Sequence, residues 1–242
     1  MAIVAVVQAR TGSRRLPGKV LSEVGGQPLI LWSLAAMEAV GRVGAVIAAV
    51  TEEPSDDRLV EVIEAAGYTV HRGPARDVLT RCWEAVAPYA PELVIRATAD
   101  CPFVDPRVVD AQLERALVDG FDYVGTAGWP LGIAAEVARA DALSAAYEEA
   151  VEPAEREHVM PFLYTRPDRF RIGAAPPTTS PPPGRYTVDT SEDLAFVRAV
   201  AARLGSVRPV SIGTLARIVA AEPALLDLNR DVPQKPWQEA ER

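Results

Sequence analysis

Residues 2–19 read Ala-Ile-Val-Ala-Val-Val-Gln-Ala-Arg-Thr-Gly-Ser-Arg-Arg-Leu-Pro-Gly-Lys. The apolar run from Ala2 to Val7 is a buried strand, and the stretch from Gln8 to Lys19 follows it so closely that it must occupy the strand's carboxyl end. In open α/β sheets that edge is where ligands bind. Gly12 and Gly18 allow close backbone approach and positive φ, so successive N–H groups can form an anion-binding concavity. Ser13 adds a hydroxyl, and Arg10, Arg14, Arg15 and Lys19 add charge. Such a loop suits a polyphosphate. A solvated basic turn is the plain alternative, but a chain with net charge −8 has little reason to gather cations there without an anionic ligand.

Working outward, β and α segments alternate. Pro28 to Met37 reads as an apolar helix ending near Gly41, and Ala45 to Val50 as a strand covered on both faces. Ser55 can cap the next helix, with Asp56 and Asp57 in its first turn and Gly67 as its stop. Tyr68 to Val70 makes a short strand, and the loop His71 to Asp77 again precedes a helix, Val78 to Ala87. His71, alone in this loop, reads as structural. Leu93 to Thr98 is the fourth strand and delivers Asp100 to the same edge, where a carboxylate can share Mg²⁺ with substrate phosphates or merely cap a turn. Asp105-Pro106 opens a helix to Val118.

Strands are expected at Phe121–Val124, Phe170–Ala174 and Arg185–Val188, and helices at Ala140–Glu149, Glu155–Tyr164 and from Ser191 to about Leu204. The proline-rich segment 176–184 reads as a polyproline-like surface connector. Asp189 then lies beyond a strand end, either facing the ligand or starting the following helix. The tail from Asn229, with Trp237, carries no recognisable chemistry.

Composition fits one α/β domain spanning 1–242, with 49% hydrophobic and 24% charged residues. No apolar run approaches the ~20 residues of a membrane span, and nothing follows the first strand that reads as a cleavage site, so a cytoplasmic protein without membrane association is expected. Cys82 and Cys101 are too few for a disulfide framework or a four-ligand zinc site. A pI near 4.9 argues against nucleic-acid binding.

The Gln8–Lys19 loop, the segment from His71-Arg72-Gly73 through Asp77-Val78-Leu79-Thr80-Arg81, Arg96-Ala97-Thr98-Ala99-Asp100-Cys101-Pro102, Arg156-Glu157-His158-Val159 and Tyr186 to Leu194 follow one another over most of the chain. Together they resemble the nucleotide-sugar cytidylyltransferases, the group of the KDO and acylneuraminate enzymes, and most closely the spore-coat polysaccharide protein F subgroup. The resemblance implies a single-domain, mostly parallel mixed sheet with helices on both faces, of the nucleotide-diphospho-sugar transferase, Rossmann-like type. It implies transfer of CMP from CTP to a small acidic acceptor with release of pyrophosphate. Gln8, Ala9, Arg10, Gly12, Ser13, Arg15 and Lys19 would bind the nucleotide, joined by Arg72, Arg81 and Thr98. Thr98 stands where the KDO enzymes carry glutamine, and Arg81 has the alternative of pairing with Glu84 on its own helix.

By the same resemblance Asp100 and Asp189 would hold Mg²⁺ and, with Arg10 and Lys19, carry catalysis. The run Pro130 to Val137 corresponds to the acceptor-facing region, with two acids of the spore-coat relatives replaced by apolar residues; Glu136 remains, to bind the acceptor or to hydrogen-bond backbone. His158 is assigned a structural or dimer-contact role, and a homodimer is implied with 140–164 at its interface. Two alternatives remain: a glycosyltransferase, which would show an Asp-x-Asp pair beyond a strand, and a non-catalytic nucleotide-binding protein.

Overall fold

A computed structural model describes residues 2–178, 180–205 and 207–234; Thr179 of the connector and Trp237 of the tail lie outside them. In chain order the elements are β1 (Ile3–Gln8), β2 (Glu23–Val24), β3 (Gln27–Pro28), α1 (Leu29–Glu38), β4 (Ala45–Thr51), α2 (Asp57–Ala65), β5 (Thr69–Gly73), α3 (Val78–Val86), β6 (Leu93–Thr98), α4 (Pro106–Val118), β7 (Tyr123–Gly125), β8 (Glu136–Arg139), α5 (Ala140–Glu149), α6 (Pro153–His158), α7 (Pro161–Tyr164), β9 (Ile172–Ala174), α8 (Ser191–Leu204) and α9 (Ile212–Ala221). Seven strands form one sheet in the order β5-β4-β1-β6-β8-β7-β9. β5, β4, β1 and β6 run parallel, β8 is antiparallel to both its neighbours, and β9 is parallel to β7. The expected mixed, mostly parallel α/β architecture is present.

Alternation along β1 shows why its sequence lacks polar residues before Gln8. Ile3, Ala5 and Val7 enter one core with Ile30, Leu34 and Met37 of α1 and Leu113 of α4. Val4 and Val6 enter the other, with Leu79 and Val86 of α3 and Leu143 of α5. Each face of the sheet is therefore buried under helices, and a one-residue slip would exchange both sets. A third cluster, with Trp32, Phe103, Tyr186, Val188, Phe196 and Leu215, seats α8 and α9 beside the sheet edge. One buried carboxylate, Asp105, joins this cluster to the main body. It accepts from Arg107 N (2.9 Å) as the cap of α4 and from Ile212 N (2.7 Å) at the start of α9.

Several local expectations are corrected. β5 continues through Gly73, so His71 and Arg72 are strand residues. Residues 185–188 form no strand: Tyr186 N donates to Leu131 O and Val188 N to Asp100 O, both at 2.8 Å, two isolated bonds to loops instead of a ladder. The single helix expected over 155–164 is two short ones, broken at Val159 (φ 72°), and Pro161, lacking an N–H, opens the second. β8 and α9 were not anticipated. Strand β7 begins at Tyr123 and β9 at Ile172, two residues later than read from sequence.

Candidate functional site

The loop after β1 is built by its own backbone and by one buried acid. Thr11 O accepts from Ser13 N (2.8 Å) and Gly18 N (2.9 Å), and Gly18 adopts φ 70°, a left-handed conformation that glycine takes without the strain of a side chain. Asp56 is only 1% exposed; its Oδ1 accepts from Thr11 N (2.7 Å) and Thr11 Oγ1 (2.5 Å), and its Oδ2 accepts from Thr51 Oγ1. Asp56 sits at the N-cap of α2 but makes no side-chain cap bond there. Its carboxylate is spent on the loop, which corrects the reading of Ser55 and Asp56 as mere helix starters.

Lys19 is the centre of the charge network. Its ammonium donates to Asp100 Oδ2 (2.7 Å), Val188 O (2.7 Å) and Asp189 Oδ1 (2.9 Å). Arg15 also reaches Asp189 Oδ1 at 2.9 Å, and Arg185 pairs with Asp189 Oδ2. The Val188–Asp100 backbone bond holds the two acid-bearing segments side by side. Burial alone would lower the Lys19 pKa, but Asp100 and Asp189 outweigh it and raise the value. For Asp100, burial favours the neutral acid, yet the adjacent Lys19 ammonium and hydrogen bonds from Lys19, Thr98 and Cys101 hold the carboxyl down at about 2. Asp100 is thus held as an anion beside the Lys19 ammonium, with Asp189 on the same cation.

Asp189 is not a helix cap. Thr190 and Asp193 form the capping box of α8, and Asp193 accepts from the N–H groups of Asp189 (2.9 Å) and Thr190 (3.2 Å). The Asp189 side chain is left for the cleft. Two carboxylates converging within 2.9 Å of one cation offer an all-oxygen set that fits Mg²⁺. Among the described residues no three or more His, Cys, Asp or Glu side chains gather as a closed metal site. Phosphate oxygens and water would complete the coordination, as is usual for this ion.

Around this network lies a cleft of about 200 Å³. Gln8, Ala9, Arg10, Ser13, Arg15 and Lys19 line it from the first loop, and Arg81, Thr98, Asp100 and Asp189 from the later segments. Two expected nucleotide contacts do not line it. Gly12 is outside, and Arg72 turns its guanidinium onto Thr51 O (3.0 Å), Glu53 O (3.0 Å) and Asp57 Oδ1 (2.7 Å), because its place in β5 points it along the neighbouring strand end. Arg81 does not pair with Glu84; it is 1% exposed and donates to Ala49 O (3.2 Å), Pro74 O (2.5 Å) and Ala75 O (3.4 Å). Glu157 and His158 line the cleft too, brought in by the break after α6.

A second cleft, of about 500 Å³, opens from the first and shares Gln8, Thr98, Asp100, His158 and Asp189 with it. The 130–136 run forms one wall. Gly132 packs so closely on residues 186–187 that a Cβ there would lie 2.5 Å from the Tyr186 carbonyl. Glu136 lines this cleft, but Arg96 Nη1 donates to its Oε2 and Tyr123 OH to its Oε1, both at 2.6 Å. Arg96 was not singled out in the sequence; lying inside an apolar strand, it was the available signal.

A parallel sheet whose carboxyl edge carries a basic, glycine-containing loop against two converging acids is the architecture of a nucleotidyltransferase. Residues 4–224 match the cytidylyltransferase family model, and the chain belongs to that family. It is 32% identical over 229 residues to the spore coat polysaccharide biosynthesis protein SpsF of Bacillus subtilis, covering 91% of this chain and 95% of that one. Its fold is shared with a cytidylyltransferase from Leptospira borgpetersenii (TM-score 0.88, 24% identity, 97% of this chain and 100% of that one). It is also shared with a CMP:2-keto-3-deoxy-manno-octonic acid synthetase complexed with CTP (TM-score 0.68, 20% identity, 84% and 99%).

Proposed function

We propose that the protein transfers CMP from CTP to an oxygen of a small acceptor and releases pyrophosphate, in the service of polysaccharide biosynthesis, as the name of the spore-coat relative suggests. The observation that carries this reading is the convergence of Lys19, Asp100 and Asp189 at the mouth of the basic loop, with a second cleft opening on the same two acids. Arg10, Ser13 and Arg15 line the first cleft where the triphosphate would lie, and they neutralise the charge that builds on the departing pyrophosphate. Loop rigidity matters here, since pre-set donors need no reorganisation during reaction; the Asp56 anchor provides it.

Mg²⁺ bound by Asp100 and Asp189 would supply Lewis-acid polarisation of the α-phosphate. Lys19, which lines the same cleft, would add its charge to that of Arg10 and Arg15 against the phosphates. Arg81, fixed by three carbonyls, lines the cleft as a rigid, largely buried guanidinium that would take part in holding the nucleotide. An acceptor oxygen from the second cleft attacks the α-phosphorus in line as its bond to the β-phosphate breaks; pyrophosphate leaves, the acceptor's proton passes to it or to solvent, and the step relies on positioning and electrostatics without a covalent enzyme intermediate. The test is nucleotide selectivity: with Mg²⁺, CTP should raise the melting temperature more than ATP, GTP or UTP. Equal shifts for all four would remove the cytidylyl assignment.

A further inference from the structure

The second cleft has a floor made from three neighbouring strands, β1, β6 and β8, with Tyr123 of β7 buried behind it. Arg96 of β6 stands opposite Glu136 of β8 in the antiparallel register, and the pair closes at 2.6 Å. Gln8 of β1 accepts from Arg96 Nε at 2.9 Å on one side, and Tyr123 of β7 donates to Glu136 at 2.6 Å on the other. The charged side chains are only 14% and 16% exposed, and what exposure they keep is toward the cleft. A buried ion pair is by itself weak evidence for a stabilising role, and this one lines a cleft of about 500 Å³.

We propose that this Gln8–Arg96–Glu136 array, with Tyr123 positioning Glu136 from behind, is the acceptor-recognition site, and that it selects a neutral, hydroxyl-bearing acceptor of sugar or polyol type over an acid. The proposal rests on the transfer reading above and replaces the acidic acceptor expected from the sequence. A guanidinium carries five N–H donors and a carboxylate about four acceptor positions. The bonds just described engage two of the former and two of the latter. What remains is a donor beside an acceptor, the complement of a hydroxyl group, which donates and accepts at once. A carboxylate or phosphonate only accepts. It would find Arg96 already balanced and Glu136 adjacent and repulsive.

The rest of the lining points the same way. Among its described residues the single guanidinium, Arg96, is already paired with Glu136, while Asp100 and Asp189 are neutralised by Lys19, Arg15 and Arg185. Pro130, Leu131 and Ala134 add an apolar wall that suits the C–H face of a carbohydrate. Because Asp100 and Asp189 border both clefts, a hydroxyl bound over the array lies on the path to the α-phosphate.

The test uses matched pairs that differ by one carboxylate: glucose and glucuronate, mannose and mannuronate, glycerol and glycerate. Each is measured for CTP-dependent pyrophosphate release and, without CTP, for direct binding by saturation-transfer NMR. The neutral member should be preferred by about tenfold or more, the worth of one charge-assisted hydrogen bond. Glu136→Gln, isosteric but uncharged, should shift the ratio of kcat/KM toward the acid by about tenfold, while Arg96→Lys and Tyr123→Phe should raise the acceptor KM and leave the KM for CTP unchanged. Neutral sugars that bind in an Arg96-dependent way without any turnover of CTP would sink the transfer reading and leave the site standing. Preference for the acids by the wild-type protein, an unchanged ranking in Glu136→Gln, or no binding of any neutral member would overturn the proposal.

Discussion

Replacing Lys19 by methionine keeps the stem and removes the ammonium that holds Asp100, Asp189 and the Val188 carbonyl at 2.7 to 2.9 Å. Breaking a buried ion pair by deleting one partner costs about 3–5 kcal/mol. Here Arg15 and Arg185 remain on Asp189, and the Asp100 side chain is 23% exposed, so the lower end, about 3 kcal/mol, is expected. For a chain of this size that is a fall of roughly 6–12 °C in melting temperature. Because the ammonium and a divalent cation compete for the same two carboxylates, millimolar Mg²⁺ without nucleotide should restore more stability to Lys19→Met than it gives the wild type. Differential scanning calorimetry of both proteins, with and without Mg²⁺, reads both effects. Identical Mg²⁺ responses would refute the reasoning, for they would mean that the two acids do not jointly hold a cation.

Asp56→Ala strips Thr11 N–H and two threonine hydroxyls of their shared acceptor, so stability should fall by about 2–3 kcal/mol and the KM for CTP should rise about tenfold with the acceptor KM unchanged; steady-state kinetics with each substrate varied will show it, and a lower melting temperature with normal KM would reduce Asp56 to a structural tie. Arg72→Ala, which alters a half-exposed pairing outside the cleft, should change kcat/KM less than about twofold, and a loss beyond tenfold would return Arg72 to the nucleotide site. The Asp100 carboxyl is held at about 2, below its ordinary 3.8, so its contribution is present above the ordinary value and is lost as pH falls through the folded one. Between pH 4 and 2 the metal-free wild type should therefore lose roughly 2 kcal/mol more than Asp100→Asn in urea titrations; parallel losses would contradict the Lys19–Asp100 pairing.

What could be read from the sequence was what depends on local pattern. An unbroken apolar β1 announces a strand covered on both faces, and the loop that must follow it brings Arg10, Ser13, Arg15 and Lys19 to the strand end. Asp100 and Asp189 were placed at the same edge by the segments before them, although 185–188 turned out to be a buried loop whose apolar Tyr186 and Val188 mimic a strand. Long-range pairings were not legible. Asp56 looks like any acid at a helix start, and only the fold brings it to Thr11, 45 positions away. β8 is four residues long and its pairing with β6 cannot be seen in Glu-Val-Ala-Arg, so Arg96 and Glu136 gave no sign of facing one another. Arg72, read as a loop residue, lies in β5, which runs three residues further than its apolar core suggests.

The central claim is that this cleft breaks CTP between its α- and β-phosphates and passes the CMP to an acceptor. Phosphorus NMR of the protein with CTP, Mg²⁺ and a neutral sugar acceptor tests it directly. The account predicts pyrophosphate and a new CMP ester appearing in equal amounts, with both signals abolished in Asp100→Asn. CDP with inorganic phosphate, or CTP consumption that survives Asp100→Asn unchanged, would contradict it.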